Sequence, residues 1–192
     1  MDYFSTDTYI EPERGDLLIS EPYLPDPNFE RTVVFLCEHD ENGTFGFVLN
    51  KPGNATFGQA IEEASGFDAR LYIGGPVQMD SLHFLHKAPD QVEGGKEVVE
   101  DIYWGGDFEQ LMTQINTRAI RENDFRFFVG YSGWSPGQLK EELETKSWIV
   151  YKKADPNLIF KLSAEELWPH VLKDMGGKFK IMANYPLDPR LN

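Results

Sequence analysis

The sequence predicts an α+β fold, a single compact domain built on a mixed sheet. Three observations carry this. The 192 residues suffice for one substantial core and fall short of two, at roughly 150 residues per domain. Hydrophobic residues make up 41% of the chain and aromatics 14%, enough apolar surface to drive folding. Segments of strand and helix pattern do not alternate one for one, which argues against a doubly wound parallel sheet.

Residues 1–14 read as an N-terminal arm ahead of a domain spanning 15–192, with Pro12 and Gly15 at the boundary. Leu17 to Ile19 start the first strand. Pro22, Pro25 and Pro27 then enforce an extended connection, because each fixes its own φ and biases the residue before it away from α. Residues 32–38 form a strand so continuously apolar that both faces must be covered. Asn42-Gly43 signals a turn, and 45–49 return as the hairpin partner. Thr56 and Gln59 fit a capping box for a short helix to about Ala64.

Leu71 to Ile73 form a strand that runs into Gly74-Gly75-Pro76, and 81–85 form another. Residues 96–103 read as one strand interrupted near Glu100-Asp101. From Asp107 to about Arg121, Phe108, Leu111, Met112 and Ile115 recur at helical spacing. Residues 125–129 form a strand that enters Gly130-Tyr131-Ser132-Gly133-Trp134. Ser135-Pro136-Gly137-Gln138 predicts a helix start, with Ser as cap and Pro at the first helical position. Residues 148–151 and 158–160 read as strands. Ser163 and Glu166 cap a last helix that stops at Gly176-Gly177. Tyr72-Ile73-Gly74-Gly75 and Tyr103-Trp104-Gly105-Gly106 share one pattern, which predicts two similar strand exits.

A formal charge of −14 argues against direct nucleic-acid binding, which needs clustered Lys and Arg to displace counterions. Arg118, Arg121 and Arg126 alternate with Glu122 and Asp124 and read as a solvated face. The single cysteine, Cys37, excludes an intrachain disulfide, and in an apolar strand it reads as a packed, inert thiol. No Cys/His spacing fits structural zinc, and no metal or cofactor is expected. No apolar stretch approaches the roughly 20 residues that cross a bilayer. The N-terminal residues lack a secretory apolar segment, so the expected location is the cytoplasm, with no membrane partner.

Several residues could carry chemistry, and each has a plainer reading. Glu38-His39-Asp40-Glu41 close a strand, where a titrating His beside carboxylates could serve acid–base chemistry or could be a solvated turn. His83 and His86 would lie on opposite strand faces, which argues against a shared metal. Ser132 lacks the glycine spacing of a nucleophile elbow. Free N–H groups at the start of the helix near Gln138 could receive an anion or a carbonyl between Tyr131 and Trp134, or both aromatics could be core. Arg31 could bind a carboxylate ligand or pair with an acid of the fold. Neither Gly-Gly turn has the spacing of a nucleotide-binding loop.

Gly15-Asp-Leu-Leu-Ile-Ser20, Phe29-Glu-Arg-Thr-Val-Val34, Glu38-His39 and Gly46-Phe-Val-Leu-Asn-Lys-Pro52 resemble the YqgE/AlgH family of bacterial proteins. So do Gly74-Gly75-Pro76, His86, Tyr103-Trp-Gly-Gly-Asp107, Gly130-Tyr-Ser-Gly-Trp-Ser-Pro-Gly-Gln-Leu139, Trp148 and the terminal Pro186-Leu-Asp-Pro-Arg-Leu-Asn192. The resemblance spans nearly the whole chain from Gly15. It implies a partly barrel-like sheet with helices packed on it, and a function that is not settled, members often carrying a transcriptional-regulator label.

The combined expectation is a non-catalytic cytoplasmic module that binds a protein or small molecule. Its surface patch would comprise Arg31, Glu38, His39, Asn50, Gly74, Gly75, Pro76, Tyr131, Trp134 and Gln138. The alternatives are a small-molecule hydrolase using His39 and the helix start, and a regulator that binds DNA directly.

Overall fold

The computed structural model describes residues 10–152 and 154–188. Its elements in chain order are β1 (Leu17–Ser20), β2 (Val33–Asp40), β3 (Gly43–Val48), β4 (Pro52–Thr56), α1 (Phe57–Ala60), β5 (Arg70–Ile73) and β6 (Val77–His86). There follow β7 (Lys96–Val99), β8 (Ile102–Trp104), α2 (Phe108–Asn116), β9 (Phe125–Trp134), α3 (Gln138–Glu144) and β10 (Trp148–Tyr151). The chain closes with α4 (Pro156–Phe160), α5 (Ala164–Met175) and α6 (Gly177–Met182).

The main run of the sheet is β10-β1-β2-β3-β9-β6-β8-β7, and β5 joins β9 to β4. Among the described residues only β5 on β9 is parallel, so the sheet is mixed, as expected. β9 organises it: its first half takes β5 and its second half β3 on one edge, while β6 runs along the other. The sheet curls without closing. Lys96 on β7 reaches Glu38 on β2 at 2.5 Å, and Gly15, just before β1, lies so close to β7 that a Cβ there would sit 2.9 Å from the Cβ of Val99.

Three apolar clusters follow from strand alternation. Inside the curl, Leu17, Ile19, Val33, Phe35, Phe47 and Phe128 pack beneath Leu167, Trp168, Val171 and Leu172 of α5. On the outer face of the same strands, Leu18, Val34, Leu36 and Val48 meet Trp134, Leu139 and Trp148. The third cluster joins α1 and α2 to the far half of the sheet through Phe57, Leu71, Phe84, Leu111, Ile115, Phe125 and Phe127. Residues 32–37 are buried on both faces, as their continuous hydrophobicity requires, while Glu38 is only partly covered.

Several elements differ from the sequence reading. Residues 156–160 form helix α4 instead of a strand: Asp155 caps the N–H groups of Asn157 and Leu158, and Pro156 occupies a first-turn position. The 96–103 strand is two strands, reversed at Asp101 with φ 62. Pro52–Thr56 pairs with β5. The helix after Thr56 stops at Ala60 and continues as a 3-10 turn over Glu62–Ala64. α2 ends at Asn116, and a short helix α6 follows Gly176.

β9 runs through the glycines to Trp134. α3 starts at Gln138 with Gly137, φ 83, as its cap, so Ser135 and Pro136 lie outside it. Gln138 still accepts from Ser135 N at 3.0 Å, which is half of the expected box. Arg126 is not on a solvated face. It is buried, donates to the Leu49 and Leu162 carbonyls, and lies 4.5 Å over the Tyr72 ring.

Candidate functional site

The expected site residues fall into separate groups. Arg31, at φ 47, donates to the Tyr185 and Pro186 carbonyls at 2.7 and 2.6 Å and lies 4.9 Å over Trp168. It fastens the C-terminal segment to the start of β2. Asn50 accepts from Val33 N at 2.8 Å and donates to Arg31 O at 2.9 Å, replacing ladder bonds where β2 begins. Trp134 is buried, and its indole donates to Glu142 at 2.8 Å. Glu142 also accepts from Trp148 Nε1 at 2.7 Å and Gln138 Nε2 at 3.0 Å. Gly74 and Gly75 have no room for a side chain: a Cβ would sit 2.5 Å from Gly130 O or 2.2 Å from the Tyr131 carbonyl. Pro76 is exposed beside them.

Directly paired residues in an antiparallel ladder share a face. His39 pairs with Thr44, and Thr44 with Trp134, so these three lie on the outer face. Glu38 pairs with Phe45, and Phe45 with Gly133, on the inner face. Adjacent in sequence, Glu38 and His39 therefore address different surroundings. His39 Nδ1 meets Thr44 Oγ1 at 2.7 Å, while its Nε2 lies 4.0 Å from Glu11, beyond hydrogen-bond reach. Thr44 is buried in the ladder, so this contact braces the hairpin. Ser132 is buried and donates to Gly74 O at 2.9 Å, which occupies it structurally.

Of the expected set, Glu38 and Tyr131 face the mouth of the curl. There they join residues that the sequence reading did not single out as binders: Phe45, Phe47, His83, Lys96 and Trp104. Phe45 centres lie 4.7 Å from Trp104, 4.8 Å from Tyr131 and 5.1 Å from Phe47. His83 lies 5.2 Å from Phe47 and 6.0 Å from Tyr131. Phe47 is buried, Lys96 is exposed, and the others are only partly buried. The repeated Tyr-apolar-Gly-Gly exits were the available signal. The second exit brings in Trp104, and its glycines turn the chain away from β6.

Beside this cluster lies an open cavity of about 480 Å³, bounded by Leu82, His83, Lys96, Trp104, Gly105 and Phe108. Ser81 Oγ donates its single proton to Gln78 O at 2.7 Å, so at 2.9 Å it must accept from His83 Nε2. Nδ1 of the neutral ring then keeps a free lone pair, with no hydrogen-bond partner among the described residues. Burial lowers the His83 pKa, favouring that neutral form. His86, on the opposite face of β6, is fully buried. Its Nε2 donates to Gly105 O at 2.9 Å and its Nδ1 accepts from Ala88 N at 3.3 Å. Burial also lowers its pKa.

Burial raises the Cys37 thiol well above its ordinary value, so it is a poor nucleophile. Among the described residues no three His, Cys, Asp or Glu side chains gather to hold a metal ion. No helix among them is long and apolar enough to cross a membrane.

This architecture is shared with solved proteins. A crystal structure of a Corynebacterium diphtheriae protein superposes with TM-score 0.74 at 23% identity, covering 92% of this chain and 94% of that one. The solution structure of the AlgH protein from Pseudomonas aeruginosa gives TM-score 0.71 at 26% identity, covering 95% and 97%. A UPF0301 protein of Cytophaga hutchinsonii is 47% identical over 182 residues, 93% of this chain and 98% of the relative. A UPF0301 protein of Chlorobium limicola is 42% identical over 178 residues, covering 93% and 95%. The family model described as AlgH-like matches residues 17–180, from the first strand through α5 and into α6, and the chain therefore belongs to the AlgH-like family.

Proposed function

We propose that the protein is a non-catalytic binding module whose recognition surface is the mouth of the curled sheet. The single observation that carries this is the cluster of partly buried rings, Phe45, His83, Trp104 and Tyr131, beside an open cavity. Rings left half in water offer a face on which an apolar or planar group gains both area and stacking contact. The polar supplement is spare: the His83 Nδ1 lone pair and the Lys96 ammonium, which shares Glu38 at 2.5 Å. Nucleophilic catalysis by a side chain would need a hydroxyl or thiol in reach of such a base. The hydroxyl nearest His83 belongs to Ser81, and its proton is committed to Gln78 O. A charge of −14 favours protein or small-molecule partners over nucleic acid. A regulatory role, which the family resemblance implies, is compatible with a binding module of this kind.

The test is ligand titration followed by the indole resonance of Trp104, using indole, tryptamine and benzoate as ring probes. Binding that shifts this signal in the unsubstituted chain, and that calorimetric titration shows to weaken at least about tenfold in Trp104→Ala with folding intact by circular dichroism, supports the reading. Probes that leave Trp104 and His83 unmoved at millimolar concentration sink it.

A further inference from the structure

One wall of the cavity is a strand edge that has no strand partner among the described residues. β8 ends at Trp104, opposite Leu85 on β6, and the positive-φ pair Gly105 (φ 70) and Gly106 (φ 135) then leads the chain away. Among the described residues, no strand pairs with that side of β6 over the several residues before Leu85. Residues along a strand alternate the direction of their N–H and C=O groups, and two bonds fix the alternation here. Val129, the β9 partner of Leu82, gives its carbonyl to Gly74 N at 2.9 Å, away from β6. Leu82 and Val129 are thus a non-bonded pair, and Leu82 turns its own N–H and C=O away from β9. Phe84 follows the same parity, since its carbonyl accepts from Gly105 N at 3.0 Å on the β8 side. The Gly105 carbonyl that could return that bond accepts instead from His86 Nε2. The N–H and C=O of Leu82 and the N–H of Phe84 therefore face the cavity.

A free strand edge is usually blunted by a lysine, a proline or a covering loop, because it templates pairing with another chain. Leu82, His83 and Phe84 carry none of those devices. The slot is bracketed instead: the bulged residues 78–81 stand at one end and the Gly105-Gly106 turn at the other. One face carries Trp104 and His83 with the Lys96 side chain beside them, and the other is apolar, with Leu82, Phe84 and Phe108. Phe108 is 43% exposed despite its place at the start of α2. Carboxylates flank the slot in the chain: Asp80 precedes Ser81-Leu82, Glu93 precedes Gly94, and Asp107 separates Gly106 from Phe108. All three are exposed.

We propose that the occupant is an extended segment of a partner protein, apolar in its middle and basic at its ends, which adds to β6 as an antiparallel strand in line with β8. Backbone bonds to Leu82 and Phe84 supply the register. Alternate side chains settle on Trp104 and on Phe108, and Lys or Arg residues at the ends meet Asp80, Glu93 and Asp107. The complementary charge agrees with a chain of net −14. This deepens the binding-module reading and rests on it. Backbone pairing is the chemistry that small ring compounds lack.

The experiment pans a random linear heptapeptide display library against the full chain, with Trp104→Ala as counter-selection. Enriched peptides are then resynthesised with a single N-methyl group at each position in turn. The expected result is a loss of at least about tenfold at alternate positions, with near-normal affinity at those between, as a strand ladder requires. The same peptides should slow hydrogen exchange of the Leu82 and Phe84 amides and bind weakly to Leu82→Pro, which removes one of those donors.

N-methylation tolerated at every position, or no enriched peptide at all, overturns the proposal. So does a concentration-dependent dimer of the chain that protects the same amides without peptide. If indole or benzoate still binds in a Trp104-dependent way when the peptides fail, the recognition surface stands and the added strand falls. If neither binds, both readings fall together.

Discussion

Asn50 stands in for backbone that cannot pair. Arg31 sits in the left-handed region at φ 47, where β2 has not yet begun, and Asn50 satisfies both Val33 N and Arg31 O. Truncation to Asn50→Ala leaves these groups short of partners and removes the brace on a strained residue. The expected loss is about 1–3 kcal/mol of unfolding free energy by urea titration. His86 makes a second residue-scale prediction. The Gly105 carbonyl can only accept and the Ala88 N–H can only donate, so the ring is neutral, with its proton on Nε2. Its folded pKa lies below the ordinary value of 6.5 because of burial. The unfolded chain therefore takes up the proton first. The stability contributed by His86 is complete above about 6.5 and is lost as pH falls from there through the folded pKa. His83, also lowered by burial, adds in the same direction. Urea midpoints should fall between pH 7.5 and 5.5, and His86→Gln should flatten that slope while lowering stability at pH 7.5. An unchanged slope in the variant would assign the effect elsewhere.

Gly130 decides what β9 presents. Its φ of 67 breaks the alternation, so Phe128 and Tyr131 share the inner face although an unbroken strand would place them on opposite sides. Phe128 stacks on Phe47 at 4.8 Å and Tyr131 meets Phe45 at 4.8 Å. A Cβ at Gly130 would also lie 2.5 Å from Gly75 O. Gly130→Ala should therefore cost more than the roughly 1 kcal/mol of an ordinary left-handed alanine, because backbone must move. Calorimetry should show a lowered Tm, and the Tyr131 and Trp104 ring resonances should shift together. The Gly130 to Trp134 stretch looked like a loop because glycine-rich sequence normally marks one. Neighbouring β3 and β6 hold it in the sheet. α4 was misread for the converse reason: Leu158-Ile159-Phe160 is apolar enough for a strand, and the Asp155-Pro156 start signal ahead of it decides for helix.

Across the whole molecule the curl depends on packing far more than on charge. Lys96 and Glu38 join β7 to β2 across the opening, yet their side chains are 50% and 40% exposed. Water and salt screen such a pair. A double-mutant cycle with Lys96→Ala and Glu38→Ala should return a coupling below about 1 kcal/mol, weaker still in high salt. A coupling of several kcal/mol would mean that the pair holds the sheet's shape. What binds at the mouth should respond more strongly to these substitutions than folding does, because Lys96 lines the cavity.

The α+β class, most strands, the inert Cys37 and the opposite facing of His83 and His86 were all written in local pattern, which depends on neighbours a few positions away. Arg31, Asn50, Trp134 and Gln138 were legible as residues with definite partners, but their type could not say that those partners are the protein's own carbonyls, amides and carboxylate. The mouth of the sheet was hidden for a related reason. Phe45, His83, Trp104 and Tyr131 come from four strands far apart in the chain, and their meeting is set by strand order, by one glycine that reverses a strand's facing, and by where β8 stops. Sequence determines which side chains each strand offers. Only the tertiary arrangement determines which of them meet, because strand pairing is a long-range choice made by burial, and no local pattern encodes it.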